Sequence, residues 1–115
     1  MLTDEERDVR MEPELSATPV TMRHNRGRER FELFTTDDPE AFVGFLAYQR
    51  IGDSTLELQH TIISEGFSRR GFARTLVTHA LDEIRANGET IVPLCTYVQD
   101  YLQRFPQYAD LVADR

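Results

Sequence analysis

Residues Glu65 to Leu81, EGFSRRGFARTLVTHAL, set two glycines and two adjacent arginines directly before a long apolar periodicity. Phe72, Ala73, Leu76, Val77, Ala80, Leu81 and, just beyond, Ile84 recur at the spacing of a core-facing helical stripe. Asn87-Gly88 then supplies a left-handed stop. Upstream, Thr55–Ile63 (TLELQHTII) alternates, with Leu56, Leu58, His60 and Ile62 on one face and Glu57, Gln59 and Thr61 on the other. Downstream, Thr90–Leu94 (TIVPL) is short, apolar and bounded by turn residues, the pattern of a buried strand. A strand, a helix and a strand form a βαβ unit, whose right-handed crossover makes the two strands parallel. Pro93 has no N–H to give, so it marks a point where pairing is interrupted.

Further outward, Val20–Phe34 reads as two short strands around a turn at Gly27, and Ala41–Gln49 as a third. Tyr97–Phe105 reads as a short helix ended by Pro106, with Gln107–Ala113 adding a last turn. The fold class expected is therefore α+β: a four-stranded antiparallel meander, a parallel fifth strand, one long crossover helix and a short C-terminal helix.

The chain has 115 residues, enough for one core. Residues 1–15, which include TDEERDVRMEPEL, hold too little apolar surface to order themselves and are expected to form an acidic, mobile tail; the domain is 16–115. No apolar run reaches the roughly 18 residues of a membrane span, and no signal-peptide pattern opens the chain, so a cytoplasmic location is expected. The net charge of −7 argues against nucleic-acid binding. Arg23, Arg26, Arg28 and Arg30 in RHNRGRER are read as a solvated hairpin tip rather than a phosphate or acidic-partner site. His24 in that turn, and His79 on the polar side of the helix with Thr75 and Asp82, are expected to face solvent. The single cysteine, Cys95, excludes an internal disulfide, and no spacing suits a metal.

In sheets of this kind ligands sit outside the carboxyl ends of parallel strands, which selects loop 64–71 and the amino end of the helix. That end presents unpaired N–H donors and about half a positive charge. Gly71 and the small Ala73 allow close approach to the backbone, and Arg69, Arg70 and Arg74 add cationic forks. Neither a Walker loop nor a dinucleotide fingerprint occurs. The residues alone leave two readings: a diphosphate cradle, or loop glycines beside a solvated arginine face.

Ser68-Arg-Arg-Gly71-Phe-Ala73 resembles the acetyl-CoA pyrophosphate loop of GNAT-type N-acetyltransferases, in which Gln or Arg is followed by two residues, Gly, one residue, and Gly or Ala. Arg30-Phe-Glu-Leu33, His60-Thr61, Phe67–Ala73, Leu76-Val77, His79-Ala-Leu81, Pro93-Leu-Cys95, Tyr97-Val98 and Tyr108–Val112 resemble the minimal single-domain members of that family, across roughly residues 20–112. Two departures stand out. Ser68 stands where the family has Gln or Arg, so that side chain's role is lost or passes to Arg69, and a tight turn at Gly27 replaces the helix pair that usually shapes the acceptor pocket.

The resemblance implies a GNAT-like fold, acetyl-CoA as cosubstrate without a metal, and an amine acceptor on a protein or small molecule. It implies that the fourth and fifth strands splay, with the pantetheine arm bonded to backbone near Ile62 and Ile63. It further implies that Ser68, Arg69, Arg70, Gly71, Phe72, Ala73 and Arg74 hold the diphosphate, and it offers Tyr97 or Tyr101 two roles: protonating the departing thiolate, or packing at the start of the last helix. An acceptor amine must lose a proton before it attacks, at a cost of roughly 4–5 kcal/mol at pH 7 for a lysine. His60 is either a core histidine or the base that takes this proton, and the resemblance selects the base. Cys95 has two readings: a nucleophile that His60 activates and that becomes acetylated, or a wall of the thioester pocket beside direct transfer. Direct transfer is the leading expectation, and a CoA-binding interaction module without turnover is the alternative.

Overall fold

Alternating strands and a single apolar helical stripe assemble into one five-stranded sheet in a computed structural model that describes residues 18–37 and 39–113; the acidic segment 1–15 lies outside these residues. The strands are β1 (Val20–Asn25), β2 (Arg30–Thr35), β3 (Phe42–Arg50), β4 (Thr55–Ile63) and β5 (Thr90–Pro93), and they lie in sequence order. The first four pair antiparallel and β5 pairs parallel to β4. The crossover is α1 (Phe72–Ala86), and α2 (Thr96–Arg104) follows β5. Short 3₁₀ segments occupy Glu65–Phe67 and Pro106–Leu111. Among the described residues, no helix is long and apolar enough to cross a membrane.

Both helices pack on one face of the sheet. Phe31, Leu33, Leu46, Leu56 and Leu58 from the strands meet Phe72, Leu76, Val77, Leu81 and Ile84 of α1 and Val98 of α2, all essentially without solvent contact. Burying each such side chain contributes about 1.5–3 kcal/mol relative to exposure, so this face fixes where α1 begins. Among the described residues, the reverse face carries no helix. Arg23 lies over the Phe34 ring (4.2 Å) and Arg30 over Phe45 (4.4 Å), while Phe42 and Ile62 remain 37% and 50% exposed.

The strict alternation expected of β4 fails halfway along. Tyr48 pairs with Leu58 but Ala47 pairs with His60, so Gln59 is an extra residue in a β-bulge. Thr61 pairs with Leu46 and Ile63 with Gly44 on the helix face, whereas His60 and Ile62 pair with Ala47 and Phe45 on the bare face. His60 and Ile62 therefore do not share the face of Leu56 and Leu58.

His24 also departs from expectation. It faces inward from β1, stacks on Phe31 at 4.2 Å, and is bonded through Nδ1 to Glu83 and through Nε2 to the Tyr48 hydroxyl, each at 2.6 Å. The arginines around it in sequence drew attention to the turn, but β1's alternation decides the direction of the side chain. Thr75, expected on the polar side of α1, is buried, and its hydroxyl donates to the Gly71 carbonyl at 3.2 Å.

The C-terminal segment secures the far edge. Val112 bridges to Ile91, and Ala113 N–H donates to the Ile91 carbonyl at 2.8 Å. Arg85 makes a two-pronged contact with Asp110 (2.8 and 2.9 Å). That guanidinium holds the Asp110 carboxyl below its ordinary range.

Candidate active site

The site begins where β5 leaves β4. Their ladder ends at Leu58 opposite Pro93, and the N–H groups of Leu94 and Cys95 both donate to the Leu58 carbonyl (2.9 and 3.0 Å). The missing N–H of Pro93 falls at this boundary, as its chemistry demands. Among the described residues, β4 runs on through Gln59–Ile63 with only β3 beside it, so part of its backbone edge faces an opening in the sheet.

The chain then folds back toward α1. Ser64 N–H donates to Val43 (2.7 Å), and both the N–H and the hydroxyl of Ser68 donate to the Glu65 carbonyl (3.2 and 2.9 Å). Ser68 thus braces the loop. Arg69 and Gly71 adopt left-handed backbone, with φ of 61° and 84°. Gly71 is the N-cap of α1 and no side chain caps the helix, which leaves first-turn N–H donors directed out of its amino end. Phe72 anchors this end in the core at 1% exposure and meets Phe67 edge to face at 5.6 Å. The Arg70 guanidinium lies over both rings, at 5.6 and 5.3 Å.

A cavity of about 400 Å³ lies between Thr61 and Ile63 of β4, the loop residues Phe67–Arg69 and Gly71, the start of α1, and Tyr97. A second, of about 350 Å³, shares Arg74 and Tyr97 and runs along α2 to Arg104 and Phe105. Of the residues singled out from sequence, Ile63, Ser68, Arg69, Gly71, Phe72, Ala73, Arg74 and Tyr97 border the first cavity. Ile62 does not, since the bulge turns it to the bare face. Arg70 sits beside the loop on the two phenylalanine rings. Tyr101 borders the second cavity but is 3% exposed, with its hydroxyl 2.6 Å from that of Thr78.

Cys95 is buried at the N-cap of α2, and its Sγ lies 3.3 Å from the Thr61 hydroxyl on the helix face. His60, one residue earlier on β4, is exposed on the other face. Imidazole and thiol therefore flank the opening from opposite sides and do not form a hydrogen-bonded pair. Thr61 was not visible as a site residue, because only the bulge brings it to the groove.

Two phenols differ in use. Burial pushes the Tyr97 hydroxyl above its ordinary pKa, while Arg74 and Arg104 pull it back. Burial also raises Tyr101, and its bond to Thr78 opposes this. Tyr97 is the one that combines a protonated hydroxyl at neutral pH with a place in both cavities.

The donor set at the amino end of α1, with first-turn N–H groups that no side chain of the described residues caps, a Gly71 whose missing Cβ would project into open space, and adjacent guanidiniums, fits a diphosphate. A family profile described as GCN5-related N-acetyl-transferase matches residues 30–111. Protein NATD1 of Xenopus tropicalis is 29% identical over 96 residues, covering 82% of this chain and 86% of that protein. Protein NATD1 of Homo sapiens is 29% identical over 94 residues, covering 80% and 81% respectively. A Staphylococcus aureus protein described as GCN5-like, solved by NMR, superposes with a TM-score of 0.60 at 15% identity, over 83% of this chain and 89% of that one, which is a likeness of fold. The chain belongs to the GCN5-related N-acetyl-transferase family.

Proposed function

We propose that this protein transfers an acetyl group from acetyl-CoA to a primary amine by direct attack of the amine on the thioester. The observation that carries the reading is the opening between β4 and β5, with a groove on one face and His60 on the other. A diphosphate on the amino end of α1 directs the pantetheine arm along Thr61 and Ile63 toward the opening. The acceptor approaches from the bare face, where no helix of the described residues narrows access.

His60 takes the proton that the amine must lose, acting from the acceptor side. As the new C–N bond forms and the C–S bond breaks, Tyr97 supplies the proton that the leaving sulfur needs; its raised pKa keeps that proton in place at neutral pH. Cys95 lines the thioester side through Thr61 and stays unmodified. The separation of Cys95 from His60 favours this over a covalent acetyl-cysteine route, which needs the imidazole on the thiol.

The test is a turnover assay with pure protein, acetyl-CoA and panels of free amines and lysine peptides, read as CoA thiol release and acetylated acceptor mass. Multiple turnovers per protein molecule are expected with at least one amine class. Tight CoA binding with no release across the panels would favour the interaction module, and a transient acetyl mass on Cys95 would favour the covalent route.

A further inference from the structure

We infer that the acceptor carries a second positive charge a few bonds away from the amine that is acetylated, and that Glu57 is the residue that reads it. This rests on the transfer reading, with His60 marking where the reacting amine sits. Leu56 and Leu58 are buried under the helices, so the alternation of β4 sends Glu57 to the bare face, where His60 also lies. The two stand three residues apart on one strand, a distance of about 10 Å at the rise of a strand and less once the bulge is allowed for. A short aliphatic chain spans it. Val92, which pairs with Glu57 from β5, and Ala47, which pairs with His60 from β3, give such a chain apolar flanks.

The charges of the sheet single out this carboxylate. On the strands, Arg23 is paired with Glu40, His24 with Glu83, Arg30 with Glu32 and Arg50 with Glu89, at 2.6 to 3.0 Å. Of the acidic and basic side chains on the five strands, Glu57 and His60 are the two that make no ion pair with a described residue. Arg23 and Arg30 belong to the bare face, but their carboxylate partners consume their charge, so Glu57 leaves that face negative beside the base. The carboxylate is also held in place. Gln59, the bulge residue, donates through Nε2 to Glu57 Oε1 at 3.1 Å and to Gln49 Oε1 at 3.4 Å, and Gln49 pairs with Glu57 across the strands. Among the described residues nothing donates to Oε2, which is left for an incoming cation. An ammonium or guanidinium gains a charge-assisted hydrogen bond there, and the net charge of −7 draws cations to the chain. The second nitrogen of an aliphatic diamine supplies that charge, and so does an arginine beside a lysine in a peptide.

The experiment compares kcat/KM of the full chain, with acetyl-CoA, for two matched pairs of acceptors in the wild type and in Glu57→Gln. One pair is pentylamine and cadaverine, which differ by the far ammonium; the other is a lysine peptide with alanine or with arginine beside the lysine. The doubly charged member of at least one pair is expected to be better by roughly five- to tenfold, beyond the statistical factor for the two ends of cadaverine, and the ratio should shrink in high salt. A gain confined to cadaverine identifies a small diamine as the source of the charge, and a gain confined to the arginine peptide identifies a protein. In Glu57→Gln the favoured acceptor should fall to the level of its singly charged counterpart, with the circular dichroism unchanged. Equal efficiencies within both pairs in the wild type overturn the inference and leave acetyl transfer standing. So does an equal loss for both members of a pair in the variant, which marks Glu57 as structural, and so does turnover found only with singly charged amines. Absence of turnover with every amine fails the transfer reading itself, and this inference with it.

Discussion

Gly44 shows how one missing side chain lets β3 lie close against β4 beside the groove. A Cβ at this position would lie 2.4 Å from the Ile62 carbonyl oxygen and 2.7 Å from Ile63 Cδ1. The nearest obstacle is backbone, which cannot swing aside, so β3 and β4 must part just where β4 borders the groove. Gly44→Ala is expected to cost about 1–3 kcal/mol, as overpacking does, and to weaken CoA binding because the Ile62–Ile63 edge moves. Thermal unfolding and calorimetry read the two effects. An unchanged midpoint would mean the strands yield freely there. His60 and Cys95 separate in the same way. His60→Gln removes the base, and turnover should fall by roughly 10²–10⁴-fold. Cys95→Ala removes a small buried apolar group, so turnover should persist at the same order. Abolished turnover in a folded Cys95→Ala protein would reinstate the covalent route.

The β4 bulge is the element on which the site turns. With Gln59 as the extra residue, Leu58 and Thr61 face the helices while Gln59 and His60 lie toward the bare side. Deleting Gln59 restores plain alternation without moving Thr61 or Ile63 off the helix face, so the core is kept. The local bend and extra twist that the bulge imposes are lost. The deletion variant should therefore fold, with near-wild-type circular dichroism, yet lose turnover on the order of a hundredfold through sub-ångström misplacement of the groove edge. A fully active deletion variant would show that the bulge is incidental. This element also marks the limit of what sequence pattern reveals. The order of strands, the crossover helix and the Pro93 boundary follow from periods of 2 and 3.6 and from proline's missing N–H, all of which are local. A bulge is set by the register of β4 against β3, a tertiary relation, so TLELQHTII reads as regular and misassigns His60 and Ile62. His24 fails for a similar reason: its partners, Glu83 and Tyr48, are far away in sequence.

At the scale of the molecule, the tyrosines make stability depend on pH. The chain has four tyrosines and no tryptophan, and all four phenols are raised above their ordinary pKa, with burial the largest cause in each. Tyr108 is raised most; besides being buried, its hydroxyl donates to Asp82 at 2.9 Å, a bond that ionisation would break. A phenol whose folded pKa lies above its unfolded value of about 10 keeps its proton in the native state when the unfolded chain has lost it. The native state then binds more protons, so the stabilisation is complete below about pH 10 and declines as pH rises beyond it, by up to about 1.4 kcal/mol per pH unit for each of the buried Tyr48, Tyr101 and Tyr108. Three such groups acting together should make alkaline unfolding steep and cooperative. Tyrosinate absorbance, free of indole interference, should therefore lag behind that of free tyrosine and then rise together with the loss of helical circular dichroism. Tyr108→Phe removes the largest shift and should flatten the transition. If all four phenols titrate near pH 10 with the helices intact, the C-terminal packing described here is wrong.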